Sequence, residues 1–171
     1  KNGVPVMVTS FEQRPIGTVQ KLLRMQIGDD FMKVSDSERS DALNELSQFP
    51  LYIMDHYGEL DYQNLVNVIR FSKRRYSVKI FLIDHLGFIA KRGKGEDERQ
   101  AIERVVRDLA TIAINDKVTI MLVCHPNNVS VSQQRRVKIT DLKGASAIRQ
   151  DAHVGIVVER QDPNSQKGFP C

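Results

Sequence analysis

Apolar positions along this chain fall into two alternating patterns. Short runs with few polar breaks read as buried strands at 4–10, 51–54, 79–84 and 118–124, with a last strand at 154–158. Between them, apolar residues recur at helical spacing. Ile16, Val19, Leu22, Leu23 and Ile27 follow Pro15, which suits the first position of a helix. Ser35 and Glu38 fit a capping box ahead of Ala42, Leu43 and Leu46, and Pro50 breaks that helix. Tyr62, Leu65, Val66 and Ile69 mark another helix. Ile102, Val105, Val106, Leu109, Ile112 and Ala113 form a longer stripe, and 145–150 is a short helical turn. Polar loops fill 91–98 and 127–138.

Strand and helix alternate, which predicts an α/β fold with a mainly parallel sheet flanked by helices. Consecutive parallel strands end on the same edge of the sheet, and ligands of open α/β sheets bind outside that edge. Two strands here end on chemically loaded residues. IFLIDH carries Asp84 and IMLVCHP carries His125. The topology therefore predicts that these distant residues face one site.

The 171 residues suffice for one domain with its own core. Hydrophobic residues make up 41% and charged residues 27%, which is ordinary for a globular protein. No apolar run approaches membrane-spanning length and no signal-peptide pattern stands at Lys1, so no membrane partner is expected. Cys124 and Cys171 cannot build a disulfide framework; Cys124 reads as a small apolar filler in a reducing compartment. The formal charge of +4 points only weakly to a polyanionic partner, but its distribution says more. From 126 to 143, Arg135, Arg136, Lys138 and Lys143 stand against Asp141 alone. The chain opens on KNGVPV and closes on PNSQKGFPC, and both ends read as cut from a longer protein.

Taken singly, each candidate residue has two readings. Asp84 could hold Mg²⁺ beside a nucleotide, or be a loop or capping aspartate. Glu12, after the first strand, could polarise a water, or be a solvated glutamate. His125 could sense a terminal phosphate, or be a satisfied strand-end histidine. The basic loop could track a phosphate backbone, although it has no aromatic residue for base stacking. Gly144 permits close approach of backbone to a ligand, and Gln150 lies just before the last predicted strand.

In order, these segments resemble the RecA-like motor domain of DnaB-class replicative helicases, nearest to the phage primase-helicases and their mitochondrial relative. SFEQ resembles the strand end with the catalytic glutamate. IFLIDHLGFI resembles the Walker B strand, including the His after the Asp. GEDERQ resembles the first inner loop. MLVCHPNN followed by ITDLKGASAIRQDAHVGIVVER resembles the phosphate-sensing strand and the second DNA-binding loop. The likeness covers roughly 4–160.

The resemblance implies Glu12 as the base that activates water, Asp84 as the acid that positions Mg²⁺, His125 as the γ-phosphate sensor and Gln150 as part of the same relay. It places Asn128, Arg135, Arg136, Lys138, Lys143 and Gly144 on or near a loop facing single-stranded DNA. It implies ATP or another nucleoside triphosphate as substrate, a hexameric ring, 5′→3′ translocation and a possible primase partner. A bacterial or phage-infected cytoplasm is the expected setting, with the mitochondrion as the alternative. Asn127 stands where the nearest relatives often carry Lys. No G-x-x-x-x-G-K-[ST] occurs in the chain. The expectation is a partial motor domain over residues 1–171, with the phosphate cradle upstream, the arginine finger downstream, and no ATP hydrolysis by this stretch alone. Two other readings stand beside it: a non-unwinding RecA-like ATPase, and a catalytically inert DNA- or partner-binding domain.

Overall fold

Four parallel strands, β1 (Val6–Ser10), β2 (Leu51–Ile53), β3 (Ile80–Asp84) and β4 (Thr119–Leu122), form one sheet in the order β2-β1-β3-β4. The computed structural model describes residues 3–28, 33–93, 95–126, 138–142 and 145–158. Five helices are found among them: α1 (Pro15–Ile27), α2 (Asp36–Leu46), α3 (Tyr62–Tyr76), α4 (Glu98–Asp116) and α5 (Ala145–Asp151). No helix among the described residues is long and apolar enough to cross a membrane.

Register determines what the sheet edge carries. Val6 pairs with Leu51 and Ile80, Ser10 with Asp84, and Ile83 with Leu122. β1 and β3 therefore finish level, with β4 alongside. The starts are fixed as firmly. Ser77 and Lys117 take left-handed conformations (φ 56° and 51°) that close α3 and α4 and turn the chain directly into β3 and β4.

Burial holds the sheet against its helices. Phe81 and Ile83 of β3, Leu65 and Ile69 of α3, and Val105 of α4 are all fully buried in one cluster. Each such side chain contributes about 1.5–3 kcal/mol by leaving water. The expected helical stripes account for this packing: Leu65, Val66 and Ile69 are buried on α3, and Ile102, Val105, Val106, Leu109 and Ile112 on α4. The Ser35–Glu38 capping box forms as expected, and Asp97 with Gln100 makes a second one that starts α4.

The fold departs from the sequence expectation in one place. The strand expected at 154–158 does not form. Val154 is 76% exposed, Ile156 76% and Val158 90%, and no ladder partner lies beside them among the described residues. An apolar run marks residues that suit a buried strand; it does not supply the neighbouring strand whose backbone they must pair with. The helix expected after Pro15 forms as α1, with most of its stripe outside the core. Only Leu23 of its stripe is buried, and Ile16 is 62% exposed. α1 packs on α2, where Gln26 donates to Glu45 at 2.6 Å, rather than laying its whole stripe on the sheet.

Candidate active site

Three residues that follow parallel strand ends converge on the carboxyl edge of the sheet. Glu12 stands two residues past β1, His85 directly after β3, and His125 three residues past β4. The backbone continues the ladder as far as this point: Phe11 N–H donates to the Asp84 carbonyl, and Leu86 N–H to the Val123 carbonyl. These bonds carry the order of the sheet into the turns that present the side chains. The buried ring of Phe11 anchors the β1 turn against His56 and Phe88.

Both imidazoles face one carboxylate oxygen. His85 Nε2 lies 3.0 Å from Glu12 Oε1, within ion-pair reach, and His125 Nε2 lies 3.6 Å from the same atom. The two rings meet edge to face, their centroids 4.3 Å apart at 77°. Side-chain exposure is 42% for Glu12, 17% for His85 and 55% for His125, so the cluster is open to a ligand while His85 is its inner wall. Asp84 is half-buried at the end of β3, and Ser10 Oγ donates to its Oδ2 at 3.4 Å.

The donors divide by chemistry. Glu12, His85 and His125 each offer one ligand atom, all within 4.8 Å of one another. Two imidazoles and a carboxylate suit a borderline metal such as Zn²⁺ rather than a hard cation. The orientation of His85 opposes that use. Its Nδ1 accepts from Gly87 N–H at 3.1 Å, so in the neutral ring the proton sits on Nε2, the atom a metal would need bare. A hard cation instead seeks oxygen, and Asp84 with the Ser10 hydroxyl beside it provides that chemistry on the same edge. The Asp84 carboxylate fits Mg²⁺; the histidine pair does not.

The expected residues thus divide into groups. Glu12, Asp84 and His125 come to one edge, as the parallel topology requires. Gln150 is exposed on α5, and no hydrogen bond among the described residues ties it to Glu12, Asp84 or His125. Lys138 is exposed at the start of a short 3₁₀ turn, Ile139–Asp141, and its N–H donates to Asp141. Asn128, Arg135, Arg136, Lys143 and Gly144 lie outside the described residues. Pro126 pairs with Leu142 in an isolated antiparallel bridge, so the segment after His125 returns to the rim of the site. Cys124 lies half-buried against the core, and burial pushes its thiol up to about 11, in keeping with an apolar filler.

Sequence reasoning assigned no role to His85. Its signal was present in the spacing His-x-Gly: a Cβ at Gly87 would stand 2.7 Å from His85 Cε1, so the ring takes this pose only over a glycine.

Comparison with known proteins agrees with this architecture. The family described as the DnaB-like helicase C terminal domain matches residues 2–168. The DNA helicase/primase of Enterobacteria phage T3 is 25% identical over 183 residues, covering 98% of this chain and 31% of that protein. The replicative DNA helicase DnaC of Bacillus subtilis (strain 168) is 27% identical over 123 residues, covering 71% of this chain and 27% of that protein. The chain thus spans less than a third of the length of either relative. Among solved structures, one described as an ATPase domain superposes with a TM-score of 0.71 at 22% identity, covering 87% of this chain and 57% of that one. A DnaB-like replicative helicase, described with its interactions with primase, gives 0.71 at 21% identity over 87% of this chain and 39% of that one. The shared fold is the RecA-like parallel sheet flanked by helices.

Proposed function

Because this chain belongs to the DnaB-like helicase C-terminal domain family, we propose that it is the motor part of a ring-forming, ATP-dependent replicative helicase. In this reading it moves 5′→3′ on single-stranded DNA and unwinds the duplex ahead of it, in the cytoplasm of a bacterial or phage-infected cell. The observation that carries the proposal is the meeting of Glu12, Asp84 and His125 on one sheet edge, delivered there by three parallel strands. Those residues are an acceptor for a water proton, an oxygen ligand for a hard cation, and a hydrogen-bonding group able to face a terminal phosphate.

Each residue then has a task. Glu12 accepts a proton from the attacking water as its oxygen bonds to the γ-phosphorus; the bond from that phosphorus to the bridging oxygen breaks and ADP departs. Asp84, whose carboxylate accepts from the Ser10 hydroxyl, would hold Mg²⁺. The cation, when bound, neutralises charge on the phosphate oxygens. His125 hydrogen-bonds the terminal phosphate, and Gln150 extends the same relay toward the DNA loop. Asn128, Arg135, Arg136, Lys138, Lys143 and Gly144 contact the phosphate backbone, a contact that carries no base sequence.

The sequence contains no G-x-x-x-x-G-K-[ST] phosphate cradle. In this reading a segment outside these 171 residues supplies it, a neighbouring subunit of a hexamer supplies the arginine finger, and a primase is a partner of the longer protein. This stretch alone does not turn over ATP. The test compares DNA-stimulated ATPase activity of the longer protein with that of its Glu12→Gln variant. Strong stimulation by single-stranded DNA, lost in the variant while nucleotide still binds, supports the motor. An intact protein that binds DNA without hydrolysing any nucleoside triphosphate overturns it in favour of an inert binding module.

A further inference from the structure

A carboxylate two residues past a strand end, 42% exposed, has several rotamers open to it. Glu12 is nonetheless held. His85 Nε2 reaches its Oε1 at 3.0 Å, and His85 is itself fixed from three sides. Gly87 N–H donates to Nδ1, the Phe88 ring packs edge to face at 4.9 Å, and the His125 ring does so at 4.3 Å. A ring whose Nδ1 accepts from backbone must, when neutral, carry its proton on Nε2. That places the N–H on the nitrogen nearest Glu12. A carboxylate oxygen 3.0 Å from a positively polarised N–H nitrogen is attracted to it, so this contact favours one Glu12 rotamer.

We infer that His85 is a positioning residue for hydrolysis: its Nε2–H anchors Glu12 Oε1 and leaves Oε2 as the oxygen that takes the water proton. The inference rests on the reading of Glu12 as the base. Oε2 has no hydrogen-bond partner among the described residues, so it is free for that task. His125 Nε2 lies 3.6 Å from the same oxygen, so the candidate phosphate sensor and the anchor meet at one atom. Gly87 belongs to the device because a methyl group there would displace the imidazole from its pose.

Two measurements test this. Nitrogen-15 NMR of the histidine side chains in the nucleotide-free protein should show neutral His85 as the Nε2–H tautomer, with its Nε2 resonance moved by Glu12→Gln. An Nδ1–H tautomer, or no response to Glu12→Gln, overturns the inference without touching the motor reading. In the longer protein, His85→Phe keeps the ring contacts and removes the donor. It should lower kcat for DNA-stimulated hydrolysis by about 10- to 100-fold, the scale of a misplaced catalytic group, with KM for nucleotide unchanged. His85→Gln restores an N–H at similar reach and should recover most of the rate. Gly87→Ala should behave like His85→Phe. Equal losses in the Phe and Gln variants, or a wild-type rate in the Phe variant while Glu12→Gln is inactive, sink the anchoring role alone. A wild-type rate in Glu12→Gln sinks the underlying assignment instead.

Discussion

Ser10 and Asp84 end neighbouring parallel strands in register, and the Ser10 hydroxyl donates to Asp84 Oδ2 at 3.4 Å. The contact is long, so its contribution lies at the lower end of the range for side-chain hydrogen bonds, about 0.5–1 kcal/mol. Ser10→Ala should leave the sheet intact, because the residue makes its ladder bonds through backbone. In the longer protein, the expected result is a two- to fivefold rise in the Mg²⁺ concentration giving half-maximal ATPase rate, about what that free energy implies. Unchanged Mg²⁺ dependence would remove Ser10 from the site.

A second prediction concerns the loop between β3 and α4. Glu96 accepts from Gly93 N–H at 2.7 Å and from two nitrogens of Arg104 at 3.0 and 3.1 Å, while Arg104 also donates to the Lys91 carbonyl. The Arg104 guanidinium first, and the Gly93 amide second, hold the Glu96 carboxyl below its ordinary value of 4.5. A lowered folded-state value means that this support is complete above pH 4.5 and is lost as pH falls through the depressed value. Amide exchange at Gly93, corrected for its intrinsic rate, should therefore accelerate on acidification below that range. In Arg104→Gln the acceleration should begin at higher pH.

Tyr62 opens α3 half-buried, and its hydroxyl has no hydrogen-bond partner among the described residues. Burial, with a smaller contribution from Asp108, pushes the phenol up to about 12. A polar group that gives up water without gaining a partner costs about 1–3 kcal/mol, so deleting it should not destabilise. Tyr62→Phe is expected to hold or raise the urea midpoint with an unchanged slope. A loss of more than about 1 kcal/mol would mean that the hydroxyl is satisfied in solution.

Ile69 is fully buried between α3 and the sheet. Ile69→Ala should cost about 2–5 kcal/mol, read by urea denaturation, because the cavity adds to the lost transfer free energy. Leu43, 47% exposed on α2, should cost well under half as much on the same change.

These contrasts mark how far the sequence could be read. Helical periodicity identified the buried faces of α3 and α4 because both lie flat on the sheet, where one stripe meets one core. It also gave the helix after Pro15, which forms as α1, but the stripe does not report that α1 packs against α2. A strand was expected at 154–158 from an apolar run, which carries no information about whether a neighbouring strand lies there to pair with it. Parallel topology alone was enough to bring Glu12, Asp84 and His125 together. It could not assign a role to His85, whose partner Glu12 is distant in sequence and whose tautomer depends on a backbone amide two residues away. The basic stretch from Asn128 to Arg136 was legible only as charge.

The Pro126–Leu142 bridge has a mechanical meaning. It sets Leu142, shortly before α5, beside the turn that follows β4. Pro126 is the immediate neighbour of His125, whose ring touches His85 and the Glu12 carboxylate. A shift of Leu142 would therefore reach the backbone beside His125 through a single residue pair, and among the described residues no other element lies between.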